Sequence, residues 1–240
     1  MDIDFYWSTF LELLTGVPLM AQLVSLSLAV GFVLAVFVAL IRLSRWRLAS
    51  GIAYGYVYVF RGTPLLVQMF LIYYGLGQFE WIRESFLWVF LRQPYWCAIL
   101  AFTLNTGAYG SEIIRGGLQS VPWGQIEAAR AAGMSGWLLF RRITMPIGIR
   151  QALPAYGNEM ILMVKATSLA SIITMLEITG IAQRLISQSY RAVEILVVAG
   201  VIYLMINFML TRLVKWLEHW LSPHLRDAPV VATPAAALAH

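Results

Sequence analysis

The chain alternates between long apolar runs and short polar breaks rich in arginine. Five runs stand out, at residues 17–41, 52–76, 96–114, 155–178 and 192–213. A helix of about twenty apolar residues crosses the hydrocarbon core of a bilayer. Arg42, Arg45 and Arg47 stop the first run. The second opens on Tyr54, Tyr56, Tyr58 and Phe60 and is interrupted by residues 61–64, RGTP. Pro64 removes a backbone donor, so the freed carbonyl needs a neighbouring partner or the span bends. Residues 78–95 have balanced charge with Trp81 and Trp88, and read as an interfacial loop with a short amphipathic helix. The third run holds Asn105, Gly107, Gly110 and Glu112, which directs it toward other helices rather than lipid. The fourth begins after Pro154 and contains Asn158, Glu159 and Lys165. A polar turn is expected over 179–191, and a disordered tail of low complexity over 228–240.

Composition sharpens this pattern. Of 240 residues, 60% are hydrophobic and only 12% charged, which is far from a soluble domain. The expected fold is therefore an all-α integral membrane protein, a single transmembrane domain over 1–227 with five spans. The net charge of +5 needs no nucleic acid partner, because excess Lys and Arg mark loops on the cytoplasmic side. One set of loops carries Arg42, Arg45, Arg47, Arg61, Arg115, Arg130, Arg141, Arg142, Arg150, Arg212, Lys215 and Arg226. The other carries Arg83, Arg92, Arg184 and Arg191. Five spans with the N-terminus outside and the C-terminus inside put the richer set in the cytoplasm. Asp2, Asp4 and Glu12 occupy the place where a signal peptide needs basic residues. Cys97 is the single cysteine, so no intrachain disulfide forms. His219, His224 and His240 have no metal-ligand spacing, and no metal site is assigned.

Between the third and fourth runs lies a stretch that is not apolar enough to span. Residues 127–146 read EAARAAGMSGWLLFRRITMP, within a loop over 120–146. Ser120 and Pro122 suit a helix start, Gly133 a stop, Ser135 a second cap, and Pro146 the end of that second helix. Two short helices with a glycine corner make a compact cytoplasmic knob. On these grounds alone an ordinary interfacial loop is an equal reading.

The residues carry a resemblance. Glu127, Ala128 and Ala129, then Gly133, Ile143 and Pro146 at their spacing, resemble the EAA loop of ABC importer permeases. Residues 60–68 (FRGTPLLVQ), 101–109 (AFTLNTGAY) with Glu112, and 153–159 (LPAYGNE) look like the polar amino acid permeases, closest to the M-type subunit of the histidine/lysine/arginine and arginine/ornithine branch. The resemblance runs from the first span to near the tail. It implies a type I importer permease fold in a bacterial inner membrane, whose coupling loop docks into a cleft of the ATPase subunit. It also implies partners: an ATPase dimer, a sister permease of different sequence, and an external binding protein that delivers the substrate. The chain has no GxxxxGK[ST] phosphate loop, so it is expected to be non-catalytic and to bind no cofactor, with ATP and magnesium on the ATPase partner. A basic amino acid or an arginine-derived opine is the expected cargo, with a neutral or acidic polar amino acid as the alternative.

Charges inside the spans are costly unless paired or wet, so Glu112, Glu159 and Lys165 mark the path or its structural ties. Asn105 and Glu112 are seven residues apart and share a helix face, as do Asn158 and Lys165, with Ser168 a turn beyond. Two readings stand: a polar cavity, or interhelical ties such as a Glu112–Lys165 or Glu159–Lys165 pair. Glu112 leans to a tie, and Glu159 to a cationic substrate. Lys165 opposes such a substrate unless a carboxylate neutralises it. Arg61 is a gate or, more simply, an anchor at a span end. An ion-driven secondary transporter is the rival from another class; it favours internal repeats, which the chain lacks.

Overall fold

A computed structural model describes residues 3–221, and the expectations for Arg226, His224, His240 and the tail lie outside them. Every regular element among the described residues is helical. In order these are α1 (Ile3–Leu14), α2 (Val17–Leu43), α3 (Arg47–Gly62), α4 (Leu65–Phe70), α5 (Glu80–Arg83), α6 (Trp88–Leu91) and α7 (Pro94–Gln119). Then come α8 (Trp123–Ala131), α9 (Gly136–Leu139), α10 (Met145–Ala166), α11 (Ile178–Ser189) and α12 (Ala192–Leu221).

α2 and α7 form the centre of the molecule and pack along most of their length. Small residues allow this. A Cβ on Gly31 would come within 2.8 Å of Thr106, and one on Gly110 within 2.9 Å of the Ala35 methyl. Close backbone approach of this kind drives helix association where lipid offers no hydrophobic gain. One core cluster joins Leu23, Met69, Phe102, Met163 and Ile173. A second joins Leu13, Met20, Val164, Ile178, Ile195 and Ile202, which seats α1, α11 and α12 on the bundle. Met205 and Met209, in contrast, lie on the exposed face of α12.

The outward sides of α2 and α12 are apolar, with Phe32, Val33, Phe37, Leu204 and Phe208 all exposed. By length and composition two helical stretches can cross a membrane, Ile3–Leu43 and Ala192–Trp220. Four can, if each of two bent pairs is one span. α7 is long enough at 26 residues, but it is too polar to pass by composition. Half of it is buried in protein, so it needs little apolar surface.

Several elements differ from the sequence expectation. α1 lies where no helix is anticipated, held by buried Thr9 and Leu13. The second run folds as α3, then α4, a wider π-helical turn and a tighter 3-10 turn, bent by 106° at Thr63 and Pro64. Thr63 takes an extended backbone, as a residue before proline prefers. The helix of the fourth run starts at Met145, and Pro154 lies inside it. Residues 179–191 are largely helix rather than turn. Ile178, Ile181, Ala182, Leu185 and Ile186 have helical spacing and pack on the second cluster, while Glu177 caps the start.

Candidate functional site

The first candidate is the knob between α7 and α10. α8 places Glu127 and Ala128 on the surface and turns Ala129 inward. Gly133 has φ +81°, a left-handed conformation that favours glycine, and its amide bonds the carbonyl of Arg130. A second left-handed glycine, Gly136, opens α9. Trp123, Trp137 and Leu138 are exposed, and Arg130 stacks over Trp123 at 5.6 Å. Pro122 and Ser135 hold the N-cap positions, but neither side chain accepts a capping bond from the first-turn amides. Ser120 instead bonds Gly117 and Gln151, tying the end of α7 to α10.

Pro146 does not close the second knob helix. It sits in the first turn of α10, after a π-helical turn over Phe140–Thr144 that contains Ile143. Proline is tolerated there, since the wider turn absorbs the missing amide. The helix therefore continues from the knob through residue 173.

The second candidate is a cavity of about 440 Å³ beside the bend between α3 and α4. Arg61, Asn105, Tyr109, Glu159, Leu162 and Met163 help to line it. Asn105 and Glu159 are buried, at 9% and 7% exposure, while Arg61 is half-exposed at the rim. Arg61 stacks over Tyr109 at 5.1 Å, and the Tyr109 hydroxyl donates to the Arg61 carbonyl at 3.5 Å. The cavity thus holds one carboxylate and one guanidinium, with an amide and an aromatic face between.

Glu112 lies on the same face of α7 but binds arginines instead. It pairs with Arg42 of α2, with Arg115 at 2.8 Å and with Arg61 at 3.9 Å. Asn158 and Lys165 are exposed on α10 and do not line the cavity. Among the described residues Lys165 pairs with neither Glu112 nor Glu159. Ser168 donates to the Lys165 carbonyl at 2.7 Å and also lies outside the cavity lining.

Two residues escape the sequence reading. The buried Gln68 amide donates to the carbonyl of Phe60 at 2.9 Å and of Thr63 at 3.1 Å. Phe60 is the carbonyl that Pro64 deprives of its helical partner, so Gln68 replaces the lost bond. Its oxygen meets the Asn105 amide at 3.5 Å, fixing the cavity wall. A glutamine four residues after a proline in an apolar run is the available signal. Glu177 is fully buried and accepts from the amides of Thr179 and Gly180 and from the Tyr203 hydroxyl at 2.7 Å. An acidic residue directly before a helical apolar repeat is its signal.

A helical bundle with apolar outer faces, an inner cavity that holds a carboxylate and a guanidinium, and an exposed knob defines a class. Residues 27–223 match the binding-protein-dependent transport system inner membrane component, and the chain belongs to that family. Over its whole length it is 57% identical to the nopaline transport system permease protein NocM of Agrobacterium fabrum, covering 100% of that protein. It is 56% identical to the octopine transport system permease protein OccM of Rhizobium radiobacter, over 97% of this chain and 95% of that one. It is 40% identical to the histidine/lysine/arginine/ornithine transport system permease protein HisM of Escherichia coli, over 85% of this chain and 89% of that one. Among solved structures, a crystal structure of an amino acid ABC transporter with histidines superposes with a TM-score of 0.82 at 32% identity, covering 91% of this chain and 98% of that one. The inward-facing MetNI methionine ABC transporter shares the fold, with a TM-score of 0.69 at 18% identity over 92% of this chain and 99% of that one.

Proposed function

We propose that this permease subunit imports a basic amino acid or an arginine-derived opine through an ATP-driven, binding-protein-dependent assembly. The observation that carries the reading is the cavity that pairs Glu159 with Arg61. Every amino acid presents a carboxylate and an ammonium, and arginine derivatives add a guanidinium. Arg61 suits the carboxylate, as a planar fork does. Glu159 suits the cationic end, with Tyr109 offering an aromatic face. Lys165 lies outside the lining, so the like charge that would oppose such a cargo is not part of it. Opines carry extra carboxylates, and the half-exposed Arg61 has room to meet one. The names of NocM, OccM and HisM point to the same substrate class.

In this reading the chain makes five spans in a bacterial inner membrane, with the N-terminus outside and the knob in the cytoplasm. The knob, with Glu127, Ala128, Ala129, Gly133, Ile143 and Pro146, docks into an ATPase subunit. A sister permease of different sequence completes the pathway, and an external binding protein delivers the cargo. ATP and magnesium act on the ATPase, whose dimer closure rocks the helices between two states. Asn158, Lys165 and Ser168 then face the sister subunit rather than the cargo.

The test is Glu159→Gln in the reconstituted complex. Arginine or opine uptake should fall at least tenfold, a loss of one charge-assisted contact. Assembly and ATPase stimulation by the loaded binding protein should persist. Unchanged uptake would remove Glu159 from the path. Selective loss of cationic cargo, with neutral cargo still carried, would separate the basic from the neutral reading.

A further inference from the structure

Two of the arginines that pair with Glu112, Arg42 and Arg115, also line a second concavity. It has a volume of about 390 Å³ and is lined by Arg42, Arg45, Arg47 and Arg115, with Ser50 and Gln119. No carboxylate lines it. Glu112 holds Arg42 and Arg115 from behind, and Arg115 also donates to Gln119 at 2.6 Å. These two guanidiniums are thereby fixed in place. The Arg45 and Arg47 side chains are exposed and make no hydrogen bond or ion pair among the described residues. One carboxylate against four guanidiniums leaves the pocket strongly positive. Arginines at the end of a span are expected in any membrane protein. A concave set of four, with two of them immobilised, is a more specific arrangement.

The surroundings identify the source of the anion. The pocket sits at the end of α2, within a helical stretch long and apolar enough to cross a membrane. Trp46 and Leu48 flank it at 78% and 79% exposure, and Ile52 and Tyr54 continue the apolar side. Tyr54 also stacks under Arg42 at 5.2 Å. Tryptophan and tyrosine favour the headgroup level, and the leucine and isoleucine offer surface to acyl chains. A free phosphate would gain nothing from that apolar flank. α3 starts here without a side-chain cap, so its first-turn amides add further positive character.

We propose that this pocket binds the phosphate of an anionic phospholipid, with the acyl chains lying along the Trp46 and Leu48 side. The phosphate oxygens accept from Arg45 and Arg47, which have donors to spare, and from the fixed pair behind them. Because Glu112 also reaches Arg61, two ion pairs through Glu112 link the headgroup pocket to the cargo cavity. The proposal rests on the chain lying in a bilayer, which its family membership supplies, and not on which side the pocket faces.

The complex with its sister permease and ATPase is assembled in nanodiscs, and retained lipid is measured by native mass spectrometry. Phosphatidylglycerol should be retained over phosphatidylcholine. In the Arg45→Gln/Arg47→Gln double variant, phosphatidylglycerol retention should fall about 30-fold, as removal of two interfacial arginines predicts. Arg45→Lys/Arg47→Lys should restore most of it. If the double variant does not assemble, R45Q and R47Q singly, each expected to lower retention about fivefold, carry the test. Equal retention of both lipids by the natural complex, or an unchanged double variant, would overturn the proposal. So would displacement of the lipid by inorganic phosphate at matched concentration, which would mark a free-anion site. A separate arm labels Ser44→Cys with a membrane-impermeant thiol reagent. Labelling from the outside would overturn the cytoplasmic orientation given above while leaving the lipid result to stand or fall by itself.

Discussion

At the scale of single residues, the bend at Pro64 depends on one side chain. Gln68 supplies the donors that Phe60 and Thr63 otherwise lack, and it is buried while doing so. A buried carbonyl left unpaired costs about 1–3 kcal/mol, and Phe60 and Thr63 are only partly shielded. Gln68→Leu should therefore destabilise the complex by about 1 kcal/mol and loosen the Asn105 wall of the cavity. Thermal unfolding of the purified complex measures it, and an unchanged midpoint would mean that water or a shifted backbone fills the role. The sequence showed that Pro64 needed a compensating partner, because the missing amide is written in the residue type. It did not show which side chain answers, because that depends on how sharply the chain turns. Glu177 was hidden for a related reason. The cap on α11 is local, but α11 itself was read as a turn, and the contact with Tyr203 lies 26 residues away.

At the scale of elements, the knob divides its two alanines between different duties. Ala128 is exposed and Ala129 is buried. Ala128→Trp should leave the permease folded but abolish capture of the ATPase subunit in co-purification. Ala129→Trp should disrupt the knob itself, lowering stability by about 1–3 kcal/mol through overpacking. If Ala128→Trp still captures the ATPase and supports coupled uptake, docking does not run through this face. The small residues, the glycine corner and the spacing to Pro146 were legible, since each is a local requirement of a tight helical turn. The role of Pro146 was not. Proline ends one helix or begins the next, and the π-helical turn before it decides which. α11 was misread as a turn because its polar residues, Gln183, Arg184 and Ser187, mask an apolar repeat that only the neighbouring helices complete.

At the scale of the molecule, Glu112 ties three helices through Arg42, Arg61 and Arg115. Breaking a fully buried pair costs about 3–5 kcal/mol; with the Glu112 side chain 18% exposed, about 2 kcal/mol is expected for Glu112→Gln. Denaturant unfolding in detergent would register that loss, whereas a change below about 0.5 kcal/mol would mark the cluster as solvated. The apolar runs made the helical bundle legible because burial in lipid demands them. α7 was legible for the opposite reason, since its glycines and polar residues announce protein neighbours. The partition of polar groups between the cavity and the arginine cluster was not legible, as seven-residue spacing on α7 places Asn105 and Glu112 alike. The unbroken helical stretch from Gly136 to Ile173 carries the knob at one end and Glu159 towards the other. Each residue added or removed between them would turn the Glu159 face by about 100° relative to the knob. Over generations this stretch should therefore tolerate exchanged side chains better than a changed length, and drift there should be recorded as substitutions without gaps.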